Sequence, residues 1–145
     1  MNRGEWAVGD VLRVSERMAL GLHAMVLLAD TGGALSSAVM ARDLHGSQAH
    51  LSKVLERLTS AGLVESRRGP HGGYRLAPKA RNVSLLRVYE ALEGNPRRDG
   101  CVFAGQVCDG AGCIFGDLMG RVRGEVLDAL ATTTLAQAVK RRRRA

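Results

Sequence analysis

Apolar and polar positions follow two different periods along the chain, and the switch between them organises the sequence. Ser15 can cap a helix by accepting an amide hydrogen bond from the first turn. After it, Met18, Leu22, Met25, Val26 and Ala29 fall on one helical stripe. Leu20, Leu27 and Leu28 lie elsewhere round that helix, which is therefore expected to be apolar on most sides and buried. Gly32-Gly33 ends it. A short second helix is predicted from Ser36 or Ser37 to Leu44, stopping at Gly46. Ser47 then caps a third helix, in which Leu51, Val54, Leu55 and Leu58 keep the spacing of a one-sided amphipathic helix. Gln48, Ser52, Lys53 and Arg57 occupy its opposite face, and Gly62 supplies a left-handed stop.

From Leu63 the period becomes two. Leu63 to Arg67 and Tyr74 to Leu76 read as short strands around a glycine-rich turn, Arg68-Gly-Pro-His-Gly-Gly73. Ser84 caps a fourth helix with Leu85, Val88, Tyr89 and Leu92 inward, ended by Gly94. Residues 95–116 lack periodicity and hold Cys101, Cys108 and Cys113 among several glycines; a segment of that length usually carries function. A fifth helix is predicted from Asp117 to about Leu130, with Leu118, Met119, Val122, Val126, Leu127 and Leu130 on one stripe. Thr132-Thr133-Thr134 interrupts it before a final turn from Leu135 to Val139. No internal repeat is visible.

Helix, tight turn and helix followed at once by a basic hairpin is the winged helix-turn-helix arrangement. The predicted fold is mainly α with a small β-hairpin wing and a long C-terminal helix. The parts are a lead-in at 1–14, a winged helix-turn-helix domain at 15–94, a cysteine-bearing segment at 95–116, a long helix at 117–139 and a basic tail at 140–145.

Charge sharpens this picture. The 145 residues carry a formal net charge of +7, yet Lys140 to Arg144 alone supply five cations, and a terminal basic run is usually a solvated tail. Residues 42–81 are more informative, with eight basic residues against three acidic ones. Aromatic residues make up 3% of the chain, which argues against the stacking platforms that hold single strands and makes a duplex reader the better nucleic-acid reading. The longest uncharged apolar run, Met18 to Ala29, has 12 residues and cannot span a bilayer. No signal peptide opens the sequence. A soluble, cytoplasmic protein without membrane partners is expected. No Cys-x-x-Cys pair, nucleotide loop or His-carboxylate set points to an enzyme.

The run Ala61-Gly-Leu-Val-Glu-Ser-Arg-Arg-Gly-Pro-His-Gly-Gly-Tyr-Arg-Leu76 resembles the winged-helix transcriptional regulators that include IscR, NsrR and CymR, most specifically in Arg68-Gly-Pro-x-Gly-Gly-Tyr74. Val83 to Gly94 and Thr134-Leu135 resemble later parts of the same family, so the likeness covers roughly residues 13 to 139. It implies a homodimer, joined through the fifth helices, that places one recognition helix per subunit in successive major grooves of a palindromic operator. A repressor is the expected role. Matching residue by residue puts Ser47, Ala49, His50, Ser52 and Lys53 at DNA-facing positions. Ser52 stands where some relatives carry a base-reading Glu, which implies a different operator sequence. Lys53 and Arg57 suit phosphate contacts, and Arg68 and Arg75 flank the wing where a groove contact is expected.

Three cysteines within 13 residues of a glycine-rich segment suit an iron–sulfur cluster, of the 2Fe–2S or 4Fe–4S type, held by Cys101, Cys108 and Cys113. The resemblance implies the same, although relatives space these cysteines evenly and here six residues separate the first pair and four the second. For a fourth ligand, one branch of the family uses His where this chain has Gly116, and another an acid of the first helix where it has Arg17. Glu16, Asp109 and Asp117 are the candidates. A thiol redox switch and a zinc site stand as alternatives, in that order. A cluster-free regulator answering to a metabolite or protein partner is a further one. The expected signal is iron–sulfur status, redox state or nitric oxide.

Overall fold

A computed structural model describes residues 14–96 and 112–145. Cys101, Cys108 and Asp109, and all but the last residue of the lead-in, lie outside the described residues.

The first three helices start where hydroxyl side chains satisfy their first-turn amides. Ser15 accepts from the Met18 amide ahead of α1 (Glu16–Thr31), Ser36 from Val39 ahead of α2 (Ser37–Asp43), and Ser47 from His50 ahead of α3 (Gln48–Ser60). The α2–α3 turn differs from expectation in which residue bends the chain. His45 takes the left-handed conformation at φ 52°, whereas Gly46 lets Leu20 pack close, since a Cβ there would sit 2.8 Å from Leu20 Cδ2.

The hairpin pairs β1 (Val64–Arg67) with β2 (Gly73–Leu76) in the register Val64↔Leu76 to Arg67↔Gly73. Leu35 adds a bridge to its outer edge, exchanging two 2.8 Å backbone hydrogen bonds with Tyr74. This bridge anchors the wing to the entry of α2. Gly73 is indispensable to it: its φ is +133°, and a Cβ would lie 2.6 Å from the Leu35 carbonyl oxygen. A 3₁₀ turn (Pro78–Asn82) leads to α4 (Leu85–Glu93), which Ser84 caps and Gly94 closes at φ 84°.

Two C-terminal helices follow, α5 (Leu118–Thr132) and α6 (Leu135–Arg144). The break between them is a built junction. Ser84 and Thr134 form a bridge, the Leu85 amide donates to Thr133 O, the Leu135 amide donates to Val83 O, and Thr134 with Gln137 makes a capping box. The basic run expected as a tail at 140–145 lies on α6, which extends through Arg144. Leu135 and Val139 are buried, so the helix is held by packing, and its terminal cations offset the negative end of its own dipole. Arg143 also pairs with Asp30 at 2.6 Å.

The core lies where α1 crosses α3 and α4, around Met25, Leu28, Met40, Leu51, Leu55 and Leu92, each fully buried and worth about 1.5–3 kcal/mol. On α1 the most buried positions are Met18, Leu20, Ala24, Met25, Leu28 and Ala29, whereas Leu22 and Val26 of the expected stripe are half-buried under α6. The stripe expected on α5 also divides. Leu127 is buried and Leu130 packs against the core, but Leu118 and Val126 stay 41% and 48% exposed. No helix among the described residues is long and apolar enough to cross a membrane.

Candidate nucleic-acid interface and cysteine segment

Helix α3 turns Leu51, Val54, Leu55 and Leu58 into the core and leaves the opposite side open. On that side stand Ala49 and Lys53, both exposed, with Ser52 half-buried beside them. Lys53 makes no ion pair among the described residues. Ser47 is committed to capping, its Oγ accepting from the His50 amide at 3.4 Å. Gln48 reaches back to Ser37 Oγ at 3.3 Å, tying the first turn of α3 to α2. Glu56 lies one turn after Lys53 on the exposed side and lowers the charge of that face towards its C-terminal end. The sequence pattern alone left Gln48 and Glu56 without a role.

Two of the expected contact residues are engaged within the chain. His50 Nδ1 lies 3.3 Å from Glu16 Oε2, so its ring leans towards the start of α1. Arg57 Nη1 donates to the Leu92 carbonyl at 3.4 Å, at the end of α4. On the wing, Arg68 is exposed at the turn and makes no ion pair among the described residues, and Arg67 is exposed beside it. Arg75 differs, since it forms a cross-strand pair with Glu65, Nε to Oε2 2.7 Å and Nη2 to Oε2 2.5 Å.

Cys113 is exposed and free of any disulfide, just ahead of the exposed side chains of Ile114 and Phe115. No cluster of three or more His, Cys, Asp or Glu suited to a metal occurs among the described residues, which hold one of the three cysteines. Of the acidic candidates, Glu16 faces His50 and Asp117 pairs with Arg121 at 3.1 Å. Three thiolates are, by their chemistry, donors suited to an iron–sulfur group, and two of the three here, Cys101 and Cys108, lie outside the described residues.

An α2–turn–α3 unit with an exposed second helix, buttressed by a basic hairpin, defines a winged helix-turn-helix protein of the transcription-regulator class. The profile of the Rrf2 family, described as iron-dependent transcriptional regulator, matches residues 14–141. The chain belongs to that family. It is 30% identical over 134 residues to a Neisseria meningitidis protein that bears the name of a helix-turn-helix transcriptional regulator, with 90% of each chain covered. Its fold is similar to that of CymR, described as the global cysteine regulator of B. subtilis, with a TM-score of 0.72 and 28% identity over 89% of this chain and 97% of that one. It is also similar to IscR of T. potens, with a TM-score of 0.68 and 28% identity over 91% of this chain and 89% of that one. The names these relatives bear are those of regulators.

Proposed function

We propose that the protein is a homodimeric repressor whose operator binding is governed by its three cysteines. The observation that carries the DNA-binding part is the open face of α3 at Ala49, Ser52 and Lys53, standing beside a wing whose exposed turn bears Arg68. Lys53 and Arg68 supply phosphate or groove contacts, while Ala49 and Ser52 are short enough to let the helix backbone approach base edges. Two copies related by a two-fold axis would set their recognition helices about 34 Å apart, one turn of duplex. The exposed apolar side chains of Leu118 and Val126 on α5 support that dimer, since pairing of the α5 helices would cover them.

Cys101, Cys108 and Cys113 would hold an iron–sulfur cluster, which supplies reversible electron transfer and sensitivity to oxidants and nitric oxide when bound. Within the chain, Gly94 at the end of α4 and Leu118 at the start of α5 bracket the cysteine segment, so its rearrangement acts on both helices. A thiol switch is the second reading, favoured by the exposed free thiol of Cys113 and the likeness to CymR. In that case two thiols join as a disulfide and pass two electrons and two protons to a peroxide or disulfide oxidant.

Anaerobic purification, an absorbance spectrum and an iron count separate these readings, followed by operator titration before and after oxidation. Brown protein with iron, and a change in affinity on oxidation, supports the cluster. Colourless protein whose affinity still responds to oxidant supports the thiol switch. Equal affinity in both states refutes control by the cysteines.

A further inference from the structure

The C-terminal end of α4 is held by two other helices at a single residue. The Leu92 side chain is 1% exposed and lies against Gly21, where a Cβ would stand only 2.2 Å from Leu92 Cδ1. Leu92 thus packs directly against the backbone of α1 at Gly21. Its carbonyl belongs to the last turn of α4, where no later helical amide can reach it. Two guanidinium groups bond it instead, Nη1 of Arg17 from α1 and Nη1 of Arg57 from α3, each at 3.4 Å. The next residue, Glu93, is gripped from α1 as well, by Arg17 at 3.6 Å and by a hydrogen bond from Ser15 Oγ.

We infer that Arg57 is a positioning residue that couples the cysteine segment to the recognition helix. This inference rests on the proposed control by the cysteines. The segment leaves α4 directly after Gly94, two residues beyond the clamped carbonyl. A pull on this end of α4 is therefore passed to α3 through Arg57, while the wedged Leu92 side chain keeps α4 from sliding freely against α1. On this reading the exposed Arg57 side chain serves the Leu92 carbonyl rather than a phosphate.

Arg57→Gln and Arg57→Lys in the full chain test this. Operator affinity is measured for anaerobically purified protein and again after oxidation with diamide, across a salt series. For the native protein the two states should differ by about fivefold or more, an ordinary allosteric coupling. Arg57→Gln should bring that ratio to within about twofold of unity without altering the salt slope. Arg57→Lys, which still donates to a carbonyl, should largely restore the ratio. Hydrogen exchange in peptides covering Tyr89 to Pro96 should quicken in Arg57→Gln in both states. An unchanged ratio in Arg57→Gln, or a salt slope lowered by about 1, would overturn the inference. If the native protein shows no difference between states, it is the cysteine control that fails. Exchange then decides the clamp alone, faster exchange supporting it and unchanged exchange overturning it.

Discussion

Arg75 and Glu65 face each other across the two strands of the wing, and the guanidinium grips one carboxylate oxygen, Nη2 to Oε2 2.5 Å and Nε to Oε2 2.7 Å. The pair neutralises a charge that the sequence pattern assigned to DNA. Arg75→Ala should therefore leave the salt slope of operator binding nearly unchanged. It should cost about 0.2–1 kcal/mol of stability, the range for a part-exposed cross-strand pair. Urea unfolding and a salt titration check the two halves of this prediction separately.

Arg68 gives the opposite expectation. It is exposed at the turn and free of ion pairs among the described residues. Arg68→Ala should weaken binding across all duplex sequences and lower the salt slope by about 1, with little change in stability. A slope equal to that of the native protein would remove Arg68 from the interface.

Gly73 should not tolerate a side chain. Its φ of +133° disfavours any side chain, and an added Cβ would meet the Leu35 carbonyl, a backbone atom that cannot step aside alone. Gly73→Ala should cost about 1–3 kcal/mol and detach the wing from α2. Chemical denaturation would show the first effect. Loss of slow exchange at the Leu35 and Tyr74 amides would show the second.

Gly21→Ala should be destabilising by about 1–3 kcal/mol, since the new methyl overlaps Leu92 Cδ1 in a closed core. Thermal unfolding measures this. An Ala variant as stable as the native protein would mean that α1 and α4 can part freely at that crossing.

Val126→Asp puts a charge on the outer face of α5, where the native side chain is 48% exposed. It should leave the protomer folded but dissociate the dimer and weaken operator binding by about a hundredfold, through loss of the second half-site contact. Sedimentation with a parallel circular dichroism spectrum distinguishes dissociation from unfolding. A variant that remains dimeric would place the interface elsewhere.

The helix starts were legible because Ser15, Ser36, Ser47 and Ser84 act locally, each on an amide three residues ahead. The core face of α3 was legible for a related reason, since a single buried side leaves a clean period. Helix α1 was harder to read. It packs on α3 and α4 through Gly21 and under α6 through Leu22 and Val26, and a helix with neighbours on several sides has no single stripe to find. Of the candidate site, the exposure of Lys53 and Arg68 could be anticipated from their place on the helix and the turn. The partners of His50, Arg57 and Arg75 could not.

The sequence by itself determined the order of elements, the basic wing, the clustering of the thiols and the family. These depend on hydrogen bonds and periodicities that span only a few residues. Only the tertiary structure decided which charges are free. Glu16 meets His50 from 34 positions away, Asp30 meets Arg143 from 113, and Leu92 meets Arg57 from 35. A long cationic side chain takes whichever acceptor the packed helices bring within reach, and that choice is made by the crossing of helices rather than by neighbours along the chain.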